Sequence, residues 1–191
     1  SPQQQRASRD SRQQKKNEPA KSGMSASDTV ILRDLAARYM DVCRKDVQRE
    51  RRGLWRRHNS LERTRPLIYV RAFAFDELPH SRCLCRDPFL REFEYQLRYN
   101  LFWDSLDDDS VFEPWINIGA VHRCSGWGVD IPRRVSDDPR GSYKLDYPIK
   151  LPGDIEKLRA PWHEIDEAET AARAARLHEA VGGMAPINVD R

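Results

Sequence analysis

Two short patterns bring imidazoles and thiols together: His80, Cys83 and Cys85 as H-x2-C-x-C, and His122 with Cys124 as H-x-C. Imidazole with thiolate is a ligand set that zinc prefers. The spacing is not that of a recognised zinc knuckle, and C-x-C sends its two thiols to opposite sides of an extended chain. Free cysteines and no metal ligand are therefore expected. His58, followed by Asn59 and Ser60, can position or protonate a substrate near neutral pH; the plainer reading is a capped turn. Arg71 is the one charge in the apolar run 67–75. A guanidinium buried there demands an anion, either a substrate carboxylate or its neighbours Asp76 and Glu77. Trp127, between Gly126 and Gly128, sits where backbone can approach a ligand closely and an indole can stack on it, or where a tryptophan simply packs a loop. The candidate catalytic residues are thus Arg71 and His58, and the candidate substrate contacts are Trp127, Gly126, Gly128 and Asn59.

No nucleophile elbow, phosphate-cradling glycine loop or His-Glu-x-x-His motif accompanies them. Charged residues make up 33% of the 191-residue chain, above the roughly 25% usual for soluble domains. The absence of a long apolar stretch argues against a membrane-spanning helix, and four sparse cysteines do not resemble a secreted disulfide framework. The expected setting is cytoplasmic. Residues 1–23 are rich in Gln, Ser, Arg and Lys without a large apolar side chain, which predicts a disordered basic tail over 1–24. Without interleaved aromatics, that tail does not make nucleic acid the expected partner.

The elements that must position these residues follow from periodicity and punctuation. Leu32, Leu35, Tyr39 and Val42 give a helical stripe after a Ser25 or Ser27 cap, predicting a helix over about 27–52. Pro66 opens a β-branched and aromatic run to Phe75, read as a buried strand. Asp87, Pro88 and the apolar positions Leu90, Phe93, Leu97 and Leu101 predict a helix over 87–106, whose extra aromatics imply two neighbours or a second subunit. A second strand is expected over 110–122, then a long loop 123–150, a short helix near 151–159, a helix over 166–181 closed by Gly182, and a new strand in the MAPINVDR ending. A chain that begins without Met and stops in a new apolar run reads as a piece of a longer protein.

Trp55 with HNSL at 58–61, Arg65-Pro66, the helix DPFLREFEYQLRYNLFWDSLDDD, GWG at 126–128, RGSYKLDYPIK at 140–150 and DIEKLRAPWHEIDEAET at 154–170 together resemble the N-terminal part of uncharacterised bacterial proteins of the uroporphyrinogen decarboxylase superfamily. The resemblance implies an α/β fold: a helical extension at 25–65 and, over 66–191, the first strands and helices of a (β/α)8 TIM-type barrel, incomplete in a chain of this length. It also implies a lyase (decarboxylase) or a methyltransferase acting on a carboxylated or methylated small molecule. Zinc or a corrinoid would serve the methyltransferase form, with ligands outside this segment. In the decarboxylases the first strand resembles PVWxMRQAGRYLPE, with arginines gripping substrate carboxylates. Here it is PLIYVRAFAFDELPH: Arg71 takes the first arginine's place, while Phe75 or Asp76 takes the second's, which argues against uroporphyrinogen itself. The alternative from a different class is a non-enzymatic interaction module, in which the aromatic helix 87–106 docks a partner or a second copy of the chain as a homodimer.

Overall fold

The computed structural model describes residues 25–135 and 141–191; the tail predicted at 1–24 lies outside them. The described residues divide into two units, one drawn from 25–114 and Ala180–Ala185, the other from 115–135, 141–179 and Pro186–Arg191.

The first unit is helical. Ser25 caps α1 (Ala26–Arg44) by accepting from the Ser27 N–H at 3.3 Å. The predicted continuous helix breaks at Lys45, whose ψ of 140° redirects the chain into α2 (Asp46–Asn59), and the Lys45 ammonium ties the break to Asp104, at 2.6 Å. α3 (Pro88–Asp104) starts where predicted, with the Asp87 carboxylate accepting from Phe89 N at 2.9 Å and Leu90 N at 3.2 Å. Leu32, Leu35, Leu90, Phe93 and Leu97 are buried between α1 and α3. Two buried carboxylates fasten the chain that leads into α3. Glu94 accepts from Leu84 N at 2.9 Å, Cys85 N at 2.7 Å and Arg98 Nε at 2.8 Å, and Asp28 accepts from Arg86 N and Asp87 N.

The aromatics of α3 face neighbours inside this unit. The Phe75 ring meets Tyr95, Tyr99 and Phe102 at centroid distances of 5.1–5.4 Å, and Trp103 meets Tyr69 and Phe112. Phe93 is buried, and Tyr95, Tyr99, Phe102 and Trp103 are half-buried among these neighbours.

The second unit carries short strands in three separate two-stranded sheets. β1 (Ile116–Gly119) pairs in parallel with β6 (Ile187–Asp190), Ile116 opposite Ile187. β2 (His122–Cys124) pairs antiparallel with β5 (His163–Ile165), and β3 (Arg133–Val135) with β4 (Tyr143–Leu145). A 3-10 turn at Pro152–Lys157 and α4 (Glu167–Val181) complete it, and Gly182 follows α4 at φ +64°. The loop predicted over 123–150 therefore holds regular structure: the end of β2 and the β3–β4 pair.

The barrel expectation is overturned. Among the described residues the sheets have two strands each, and no TIM-type barrel is present. The run 67–75, expected as the first buried strand, is not a strand, and Ile68 and Phe73 within it are exposed. The physical reason lies in where its backbone hydrogen bonds go: Ile68 N donates to the Asp109 carboxylate at 2.8 Å and Val70 N to that of Asp108 at 2.7 Å. Side-chain carboxylates take the places a neighbouring strand would occupy.

Candidate functional site

Three consecutive aspartates after α3 organise a groove in the first unit. Asp107, held at φ +50°, accepts from Arg51 of α2 at 3.0 Å. The Asp108 carboxylate accepts from Val70 N, from Trp103 Nε1 at 3.0 Å and from Ser110 N at 2.8 Å. Asp109 receives both terminal nitrogens of Arg65 as a fork, and its backbone N–H donates to Ile68 O at 2.8 Å while its own carbonyl accepts from Trp55 Nε1 at 2.7 Å. The turn therefore binds α2, α3 and the extended segment 65–70 to one another, which fixes Tyr69 between two anchored residues.

The electrostatics follow from these bonds. The Arg65 guanidinium and the Ile68 N–H hold the Asp109 carboxyl down at about 2, against the contrary push of burial. Burial raises the Asp108 carboxyl, but donation from Ser110, Val70 and Trp103 outweighs it and leaves the group below the usual carboxylate range. Both carboxylates are committed to structure, so they are not proton donors to a ligand.

The groove has a volume of about 590 Å³ and is lined by Arg52, Trp55, Arg56, Asn59, Tyr69, Val111 and Glu113. Arg52, Trp55, Arg56 and Asn59 recur at three- and four-residue intervals along α2, which places them on one side of the helix. The facing wall is set by Gln48, whose Oε1 accepts from Phe112 N at 2.9 Å, and by Arg52, which donates to Phe112 O at 2.7 Å and to the Glu113 carboxylate at 3.2 Å. Behind that wall Tyr39 donates to Glu113 O at 2.9 Å; burial pushes its phenol far above the ordinary range.

Of the sequence-predicted residues, Asn59 lines this groove and two others stand on its lining. His58 meets Trp55 edge-on at 5.7 Å between centroids. The Arg71 guanidinium lies 5.7 Å from the centroid of the Tyr69 ring, a cation-π contact. Arg71 is exposed rather than buried in a strand, and Asp76, one of its expected partners, accepts from Tyr95 instead at 2.7 Å. His58 and Asn59 end α2 and Ser60 opens the turn that follows, which leads into extended chain and not into a strand.

Trp127, Gly126 and Gly128 belong to the second unit. Gly126 and Gly128 have φ of +69° and +78°, and a side chain at Gly128 would meet Arg159 at 3.2 Å. The GWG glycines thus serve a tight turn, tied to the segment after the 3-10 turn by Arg159 N donating to Trp127 O at 2.9 Å, and the indole is exposed.

Arg52, Trp55, Arg56, Tyr69, Val111 and Glu113 were not singled out from sequence as groove residues. The available signal was the Asp107–Asp109 run that follows directly on the predicted helix 87–106. The H-x2-C-x-C pattern makes no site: Cys85 is fully buried, and burial pushes its thiol up to about 12, while Cys83 donates weakly to backbone carbonyls of Ser81 and Arg91. Comparison with protein-family models, curated proteins and solved structures finds no match to this chain.

Proposed function

We propose that the α2 groove binds a small molecule carrying a carboxylate on a flat apolar body, and that it is the substrate grip of a decarboxylase- or methyltransferase-like enzyme. The observation that carries this reading is the gathering of Arg52, Arg56 and Asn59 with the Trp55 and Tyr69 rings in one groove, and of Arg71 on the Tyr69 face. Guanidinium groups supply forked donors to a carboxylate, and the two rings supply faces for a planar body. Arg52 is engaged with Glu113 and Phe112 O, so Arg56 and Arg71 are the cations assigned to the ligand. His58, against Trp55, is assigned the exchange of a proton with the bound molecule. The interaction-module alternative loses support, because the α3 aromatics that would dock a partner pack within the first unit.

Titration calorimetry of the full chain against mono-, di- and tetracarboxylates with aromatic or heteroaromatic bodies tests the proposal. Binding is expected, weakened about tenfold by Arg56→Ala and again by Arg71→Ala, the loss of one charge-assisted contact each. Absence of binding at millimolar ligand, or equal affinity in the doubly substituted chain, overturns it.

A further inference from the structure

The β2–β5 ribbon of the second unit holds a pair of imidazoles that the α2 groove does not use. In its register His122 lies opposite Ile165, Arg123 opposite Glu164 and Cys124 opposite His163. Side chains alternate across a strand, so His122, Cys124 and His163 share one side of the ribbon, and Arg123 and Glu164 share the other. The register is held beyond both ends of the strands. Ser125 N donates to Trp162 O at 2.9 Å and Trp162 N to Ser125 Oγ at 2.8 Å; at the other end Asp166 N donates to Val121 O at 2.8 Å.

On that shared side His122 Nδ1 and His163 Nε2 stand 2.9 Å apart, with ring planes inclined by 22° and centroids 5.0 Å apart. The rings therefore meet edge to edge, nitrogen toward nitrogen. Both are exposed. A hydrogen bond between two exposed imidazoles contributes little to folding, since water replaces it at almost equal free energy. Two ring nitrogens aimed at one point on a ribbon of fixed register are, by contrast, the arrangement a metal chelate requires.

We propose that this face binds a divalent transition-metal ion of the zinc class, with His122 Nδ1 and His163 Nε2 as the first two ligands and the Cys124 thiolate as the third. Metal–nitrogen bonds of about 2.0–2.1 Å in tetrahedral geometry put two ligand nitrogens about 3.4 Å apart. The rings need to separate by about half an ångström and to tilt until both nitrogens face the ion, which then takes the place of the shared proton. Cys124 lies directly across from His163, a pairing that sets the two Cβ atoms about 5 Å apart. Its sulfur already accepts from Gly126 N at 3.4 Å, so the sulfur is held on the ribbon's turn side, and a metal ligand would be its thiolate. Among the described residues no three His, Cys, Asp or Glu side chains yet converge as a metal-holding group. The imidazole pair is the pre-formed part, and Cys124 joins by rotation about its Cα–Cβ bond. The fourth position is left to solvent or a ligand, as in zinc sites that keep an open coordination position.

The test is titration of the full chain with Zn2+ by calorimetry and with Co2+ by absorption. Expected are one bound ion per chain, tetrahedral d–d bands of Co2+ and a near-ultraviolet sulfur-to-cobalt charge-transfer band. His122→Ala and His163→Ala should each weaken binding by about 100-fold, whereas Cys124→Ser should retain an ion more weakly and lose the charge-transfer band. Far-ultraviolet circular dichroism of each variant confirms that the chain is folded, and His80→Ala serves as a control with unchanged affinity. No binding at about 100 µM Zn2+, or unchanged affinity in the His122→Ala/His163→Ala chain, overturns the site. A charge-transfer band that survives Cys124→Ser overturns the assignment of the third ligand.

Discussion

Leu61 ends α2 in the left-handed region at φ +59°, and its side chain is 96% exposed. An L residue with a Cβ is strained there, and nothing is gained by burial to offset the strain. Glycine at this position carries no such strain, so Leu61→Gly is expected to raise stability by about 1 kcal/mol in urea unfolding, despite glycine's greater freedom in the unfolded chain. An unchanged or lower midpoint would mean that Leu61 has a packing role. The same residue shows why the end of α2 was hard to read: the sequence offers no glycine at the C-terminal cap, and the helix instead stops on hydrogen bonds from Ser60 N, Leu61 N and Glu62 N to carbonyls of its last turn. Asn59, legible as a polar residue near a boundary, thereby belongs to the helix that lines the groove.

At the scale of elements, the loop before α3 hangs on carboxylates. Burial pushes Glu94 up, but the Cys85 and Leu84 N–H groups and the Arg98 guanidinium outweigh it, and the group ends below the ordinary glutamate range. A folded-state value below the unfolded one means that its stabilisation is complete above about pH 5 and is lost as pH falls below the unfolded glutamate's value of about 4.3 and through the folded one. Glu94→Gln is expected to cost about 3 kcal/mol at pH 7, because it removes the charge from a buried hydrogen-bonded pair. It should also flatten the fall of stability between about pH 5 and 2 without abolishing it, since Asp108 and Asp109 titrate in the same sense. Equal acid sensitivity in the variant would sink this assignment. α3 was legible because its cap, proline and apolar spacing agree, and α4 because Gly182 closes it. The run 67–75 was not, because β-branched and aromatic content predicts an extended backbone but not its hydrogen-bond partners. Those partners are Asp108 and Asp109, some forty residues on, and that pairing carries no local signal. The groove shared this fate: its helical wall has a visible periodicity, while Tyr69 and Glu113 reach it only through the aspartate turn.

On the scale of the whole molecule, the chain returns to the first unit at Ala180–Ala185 before adding β6 to the second. Gly182 marks the return. Its φ is +64°, and a methyl group there would come within 2.5 Å of Arg33 Nε, which donates to Ala180 O at 3.2 Å. Gly182→Ala is therefore expected to cost about 1–2 kcal/mol, from left-handed strain and displacement of the arginine. Thermal unfolding checks this; a Tm equal to that of the parent chain would show that Arg33 yields freely. The crossing-back has a consequence in time. β1 is synthesised long before its parallel partner β6, and at about 5–20 residues per second several seconds separate their emergence from the ribosome. Neither unit can be finished on the nascent chain until residues 180–190 have been added. During that interval the apolar β1 residues Ile116 and Ile118 lack their β6 partners, which makes this delay the period of greatest vulnerability to misassociation.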